Sequence, residues 1–499
     1  MNYEHIIIIG GGVGGLFTGA ILAHEGFRVT VLEKNGVIGG GLQEFSRGGV
    51  SFETGMHMLG GLRAGGSIRR ILEWLGLWDK IHVRPVDADC MDSVTYLRSG
   101  DVYRIPEGRE AFTAYLCERF PHEADGIQKY VAALYELAQE VDLFWLRPSG
   151  TAIPTHSEAF LLPVDELIAR YVDDFKLREL LAYVNPMYGG VKGHTPAYIH
   201  ALISVLYIEG TDRFEGGSLQ LANALRDVIE QGGGAVLPAK RVAQIHVADR
   251  IVTSVETTDG ERYTADKYIS AIHPQALFPL LESGAFSPAY CRRVSDAPNS
   301  YSAFTLYLIF KPESFPYINH TCYYQEDYGY VWKLANYDPA DWPRGFMYMT
   351  SADTDQGAWA SKMIVNCIMP FSVVAEWAEN GRDSRYKQWK SERVAQVMAR
   401  LEQLHPGITG SVARIEASSP LTIRDFYNQP EGALYGMRKD CRNILGSQLN
   451  VFTRVRNLYL TGQNINLHGF CGTPLTAINT AEALLGQNYI VNAINGMNK

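Results

Sequence analysis

The sequence has few cysteines and no pairing pattern among them. Cys90, Cys117, Cys291, Cys322, Cys367, Cys441 and Cys471 are scattered over 499 residues, odd in number and without a CxxC spacing. That argues against a disulfide framework or a zinc site and predicts reduced thiols in a cytoplasmic protein. HExxH, GxSxG and Walker-lysine motifs are missing, so zinc peptidase, serine hydrolase and P-loop chemistry drop out, and no metal is expected. No block of basic residues occurs, and the formal net charge is -9, so nucleic acid is not an expected partner. No uncharged apolar run reaches the length of a membrane span. Internal repeats and low-complexity tracts are absent as well. What is present is ordinary: 46% hydrophobic and 20% charged residues, enough chain for two or more domains with a large core.

The most informative stretch is the first sixty residues. Ile6 to Ile9 form a continuous apolar run, as expected of a strand buried on both faces. Gly10-x-Gly12-x-x-Gly15 follows at once. In such a turn the first glycine permits the tight bend, the second leaves room for a pyrophosphate and the third lets the next helix pack closely. A helix through Leu16, Ala20, Ile21 and Ala23, ending near Gly26, would turn its positive N-terminus toward phosphates. Arg28 to Leu32 reads as the second strand, and Glu33 ends it. A carboxylate there can accept both ribose hydroxyls of an adenosine and repels a 2′-phosphate. The strand before, the helix after and the acid at this distance make a dinucleotide site. Glu4 and His5 stand where a secretory leader carries lysines, which argues against export. A second glycine cluster, Gly39-Gly40-Gly41, then Gly48-Gly49, Phe52, Glu53, Gly55 and His57, points to backbone folding back along an extended FAD.

Helical apolar spacing follows over Arg69 to Leu77, Glu110 to Phe120 and Ile127 to Phe144, and Ser157 to Leu181 reads as helical too. These stripes are core packing, with the walls of an apolar tunnel or a helix resting on a membrane surface as the sharper reading. Pro186 to Gly193 is a loop. Ser218 is placed as N-cap of a helix over Leu219 to Gln231. Val242 to Val247, Ile251 to Thr257 and Arg262 to Tyr263 read as a small antiparallel sheet, and Lys267 to Ala271 as a buried strand. Strands over Tyr301 to Phe310, Thr321 to Gln325, Gly345 to Thr350 and Met363 to Met369, with helices over Val374 to Gly381 and Trp389 to His405, predict a sheet with helices on one face around an apolar chamber. Near the end, a strand over Leu458 to Thr461, a glycine-studded loop and a helix over Leu475 to Leu485 repeat the N-terminal logic.

Three passages carry a resemblance: FETGMHMLGG, SSPLTIRDFYNQPEGALYGM and NLYLTGQNINLHGFCGT. Together with the N-terminal block and GGSL…LANALRDVIEQGGG, they resemble the FAD-dependent phytoene desaturase, carotenoid isomerase and retinol saturase group of amine oxidase-like flavoproteins, with the retinol saturase pattern nearest. The resemblance is thinner over Ser67–Thr211 and Ala289–Arg414. It implies an α/β fold: a Rossmann-like, amine oxidase-like FAD-binding domain (1–66, 215–288 and 450–499) and a discontinuous α+β substrate-binding domain (67–214 and 289–449). Carried over, the FAD-contacting set is Gly10, Gly12, Val13, Gly14, Gly15, Glu33, Lys34, Gly39, Gly40, Gly41, Met56, His57, Val242, Gly462, Gln463, Gly472, Thr473 and Pro474. Where the saturase pattern reads TGQD, this chain has Asn464.

The implied activity is FAD-dependent reduction or introduction of a carbon–carbon double bond in a hydrophobic polyene, isoprenoid or lipid. A redox-neutral polyene cis–trans isomerase is the alternative. An amine oxidase-type flavoenzyme or a non-catalytic lipid carrier is the second. Saturation needs a hydride on one carbon and a proton on its neighbour. Candidate proton donors flanking the flavin segments are His57, Glu431, Tyr435 and His468. No second GxGxxG follows a strand, so electrons are expected to pass to or from an external donor or acceptor. Localisation is expected to be cytoplasmic, with peripheral membrane contact.

Overall fold

The computed structural model describes residues 4–55, 58–150 and 155–497. Its first organising element is a five-stranded parallel sheet in the order Ala235–Leu237, Arg28–Leu32, His5–Ile9, Lys267–Ser270, Leu458–Leu460. Ile6 to Ile9 at its centre are buried, as an all-apolar strand covered on both faces must be. Strands distant in sequence thus share one sheet, and both ends of the chain meet in it. Gly10 makes the turn at φ +105°, where a side chain would be strained. The helix Val13–His24 then buries every residue but His24, packing between the Leu219–Gln231 and Gly469–Leu485 helices. A Cβ on Gly15 would lie 1.9 Å from the Gly10 carbonyl oxygen, so this helix reaches its strand only with glycine there.

The second organising element is a seven-stranded sheet: Val412–Ser418, Ser302–Phe310, Lys362–Met369, Gly345–Thr350, Thr321–Gln325, Asp92–Tyr96 and Asp101–Ile105. All neighbours are antiparallel except Thr321–Gln325 with Asp92–Tyr96. Ser302–Phe310 is buried throughout. The Ser384–Leu404 helix covers one face, through Val397, Met398 and Leu401. A helical layer, with Ala124–Gln139 packed on Ala197–Ile208, stands beside the sheet. The small Val242–Tyr263 sheet forms as its alternation predicts.

Several elements depart from the sequence reading. Ser157 to Leu181 is two helices, Val164–Tyr171 and Phe175–Leu181. Asp174 ends one run and starts the next by accepting from Leu177 N at 2.9 Å. The strands Asp92–Tyr96 and Asp101–Ile105 fall where no strand was read. Ser218 precedes its helix but does not cap it: its hydroxyl donates to Leu42 O at 3.1 Å, while the Glu44 carboxylate accepts from Leu219 N at 2.8 Å. Pro186 to Gly193 opens with a short 3-10 turn, Asn185–Tyr188. The C-terminal helix starts at Gly469, six residues before Leu475. Among the described residues no helix is long and apolar enough to cross a membrane.

Candidate functional site

A cavity of about 590 Å³ runs between the two large sheets. At one end its wall is mostly backbone. Gly10, Gly12, Val13, Gly14, Gly40, Gly41, Gly462 and Gln463 all line it. The two glycine turns from opposite ends of the chain touch. A Cβ on Gly14 would lie 2.9 Å from Gly462 Cα, and one on Gly40 would lie 3.0 Å from Gly12 Cα. Beneath them the Thr18 and Thr461 hydroxyls share a buried hydrogen bond of 2.8 Å. Gly39 and Gly15 stand behind this wall. Gly39 N donates to Gly11 O at 2.8 Å, tying the second glycine cluster to the first. The cradle fits a dinucleotide, because added side chains would fill the groove a pyrophosphate needs.

Glu33 lines the same end and is buried. Its Oε2 accepts from Gly11 N and its Oε1 from Asn35 N, both at 2.8 Å. Burial raises the carboxyl pKa, and these two N–H groups offset only part of that rise. Each oxygen keeps a lone pair for a ribose hydroxyl. Lys34 also lines the groove; its Nζ donates to Asp425 O at 2.7 Å. Val242 and Thr473 are on the wall as well.

Part of the predicted set lies off this wall. Gly472 faces inward: a Cβ there would meet Leu467 Cβ at 2.5 Å. Pro474 is buried inside the helix, away from the wall. Met56 and His57 lie outside the described residues. Glu431 is exposed, and its carboxylate accepts from Asn299 Nδ2 at 3.1 Å. The strained turn at Pro430–Gly432, with Glu431 at φ +54°, carries its side chain off the cavity.

Tyr435 and His468 do come together. Both line the cavity, with ring centroids 5.3 Å apart. Tyr435 is half-buried, and burial raises its phenol above the usual tyrosine range. His468 is 5% exposed, and among the described residues neither ring nitrogen has a partner. Burial first, then the nearby Lys439 charge, lowers its pKa to about 3. Lys439 is itself buried and lowered to about 7. The imidazole is therefore neutral at physiological pH.

Sequence reasoning missed Arg241, Asn35 and Thr54 on the nucleotide end; of the floor it gave four strands around an apolar chamber but none of the side chains that line it. Thr54 sits inside the FETGMHMLGG passage, so a signal existed for it; Arg241 had none. Among the described lining residues only Glu33, Lys34 and Arg241 are charged, all at the nucleotide end. The rest is apolar or neutral, with Met187, Ile203, Leu206, Leu334, Phe346 and Ile368 prominent.

Comparison with known proteins agrees with this geometry. The family model described as "Flavin containing amine oxidoreductase" matches residues 13–485. The zebrafish (Danio rerio) all-trans-retinol 13,14-reductase is 23% identical over 99% of this chain and 89% of its own. A chloroplastic prolycopene isomerase 1 from an Oncidium hybrid cultivar is 25% identical over 92% of this chain and 79% of its own. A solved structure of wild-type putrescine oxidase bound to putrescine superposes with a TM-score of 0.68 at 12% identity, covering 97% of this chain and 99% of that one. The chain belongs to the flavin containing amine oxidoreductase family, and it is an FAD-dependent oxidoreductase.

Proposed function

We propose that this protein reduces or introduces a carbon–carbon double bond in a hydrophobic polyene, isoprenoid or other lipid. One observation carries the reading: beyond the nucleotide end, no described residue on the cavity wall is charged. A chamber whose described wall carries no charge beyond the nucleotide end accommodates a hydrocarbon chain and offers an ammonium or carboxylate no counter-charge against its desolvation. The retinol reductase and prolycopene isomerase among the relatives support the same substrate class. The division of the chain into 1–66, 215–288, 450–499 and 67–214, 289–449 is part of this proposal. Every strand of the five-stranded sheet falls in the first set and every strand of the seven-stranded sheet in the second.

Within this reading, the N–H groups of the two glycine turns bind the pyrophosphate, and Glu33 accepts the adenosine ribose hydroxyls. Bound FAD supplies the hydride-exchanging centre. Tyr435 stays protonated at physiological pH and holds a proton where the neighbouring carbon can take it. His468 sits beside it without adding charge. An external donor or acceptor closes the electron balance.

The test is anaerobic mixing of the purified holoenzyme with a panel of polyenes, sterols and unsaturated fatty acids. Photoreduced flavin should regain its visible absorbance, or oxidised flavin should bleach, with a polyene and not with primary amines. Product mass should change by two hydrogens. Unchanged mass with altered geometry would select the isomerase, and reaction with amines alone would overturn the reading.

A further inference from the structure

One register row of the seven-stranded sheet crosses the cavity floor: Tyr323, Met347, Asn366, Thr305 and Ser418, from five successive strands. Its central member, Asn366, is unusual for its place. Every other residue of the Lys362–Met369 strand is buried, and Asn366 alone is half-exposed, toward the cavity it lines. Asparagine is a poor strand residue, and taking an amide out of water is costly unless its hydrogen bonds are replaced. Half of that cost is met. Thr305, its register partner, donates its hydroxyl to Asn366 Oδ1 at 2.8 Å. The carbonyl end is thereby fixed, and the amide nitrogen faces the other way. Among the described residues nothing accepts a hydrogen bond from Nδ2, and the protein does not enclose that nitrogen.

An amide donor held in one orientation, on a wall whose described residues beyond the nucleotide end carry no charge, can fix the direction of a chain-like ligand. We infer that Asn366, held by Thr305, orients the substrate by donating to a neutral oxygen, a hydroxyl or a carbonyl, at one point of its apolar chain. The oxygen is neutral because no described residue beyond the nucleotide end offers a cation to balance a carboxylate. Anchoring the oxygen also sets which double bond lies at the reacting position, by its distance along the chain from the anchor. This inference rests on the polyene reading above.

The experiment titrates purified holoenzyme with three matched C20 polyenes: an alcohol, a carboxylic acid and a hydrocarbon. Binding is read from perturbation of the oxidised flavin absorbance. Wild type should bind the alcohol roughly tenfold more tightly than the hydrocarbon, as one well-placed hydrogen bond allows, and the acid more weakly than the alcohol. Asn366→Leu should erase the alcohol preference while leaving FAD retention and the substrate-free flavin spectrum unchanged. Thr305→Val keeps the amide but frees it to rotate, and should reduce the preference by roughly threefold. Equal affinity of wild type for alcohol and hydrocarbon would overturn this assignment and leave the polyene reading standing. Loss of FAD, or a shifted flavin spectrum without substrate, in either variant would overturn it too, because the amide would then serve the cofactor. Binding of none of the three would overturn the polyene reading and this assignment with it.

Discussion

The two large sheets face one cavity and build their walls differently. The five-stranded parallel sheet offers mostly backbone: Gly10, Gly12 and Gly14 from one turn, Gly40 and Gly41 from the next, Gly462 from the far end of the chain. One buried carboxylate, Glu33, supplies the side-chain chemistry. The seven-stranded sheet offers side chains from five of its strands, at positions as distant as Thr305 and Ser418. On the nucleotide side, function therefore resides in short consecutive runs whose geometry is local. On the floor it resides in a register that exists only after the sheet has formed. The first wall is tight where its turns meet, at Gly10, Gly14 and Gly40; the second is tuned by which atoms it carries.

The largest effect should come from adding atoms to the first wall. In Gly14→Val the new Cβ would lie 2.9 Å from Gly462 Cα, and neither partner is a flexible side-chain tip. Purified variant should contain no flavin by the ratio of visible to ultraviolet absorbance. Full flavin content would show that the two turns do not grip one cofactor. Next comes a change of chemistry rather than of volume. Tyr435→Phe should lower the anaerobic turnover rate roughly a hundredfold, the scale of a lost proton donor, with flavin content unchanged. If flavin were lost as well, the contrast between the walls would fail. Third, Glu33→Ala should weaken FAD binding roughly tenfold or more, the scale of lost charge-assisted hydrogen bonds, and should disturb folding far less. Unaltered FAD affinity in that variant would remove the ribose assignment.

The same contrast explains what could be read from the sequence. Ile6 to Ile9, the three glycines and Glu33 declare themselves because a strand, a turn and a helix start are local events. The meeting of Gly14 with Gly462 could be expected from the repeat of strand–glycine–helix logic at both ends. The strands Asp92–Tyr96 and Asp101–Ile105 escaped because they lie among helical stretches and gain their place by pairing, through Asp92–Tyr96, with Thr321–Gln325, more than two hundred residues on. Glu431 was legible as an acid near a flavin segment, but not as a residue turned outward by positive φ. Asn366 looked like one polar residue in an apolar run; only the register beside Thr305 gives it a role.

The smallest predicted effect separates two buried histidines. His200 and His468 are both lowered to about 3, chiefly by burial. His200 sits in the helical layer with both nitrogens engaged, by Tyr130 Oη at 2.6 Å and Tyr188 Oη at 3.0 Å. His468 faces the cavity with neither engaged by a described residue. For both, the folded pKa lies below the ordinary value of 6.5, so below pH 6.5 the unfolded chain binds a proton that the folded chain refuses. The stability each neutral ring permits is complete above about pH 6.5 and declines as pH falls toward 3. Between pH 7.5 and 5.5 each should cost about 1.4 kcal/mol. His200→Phe and His468→Phe, compared by thermal midpoint at matched FAD, should each remove that share of the acid sensitivity. At pH 7.5 they should diverge. His200→Phe leaves two buried tyrosine hydroxyls without their partner and lowers stability. His468→Phe removes two nitrogens that no described residue partners, so it should cost no internal hydrogen bond. Equal destabilisation by the two variants at pH 7.5 would mean that His468 serves the fold, and the cavity would lose the neutral ring placed beside Tyr435.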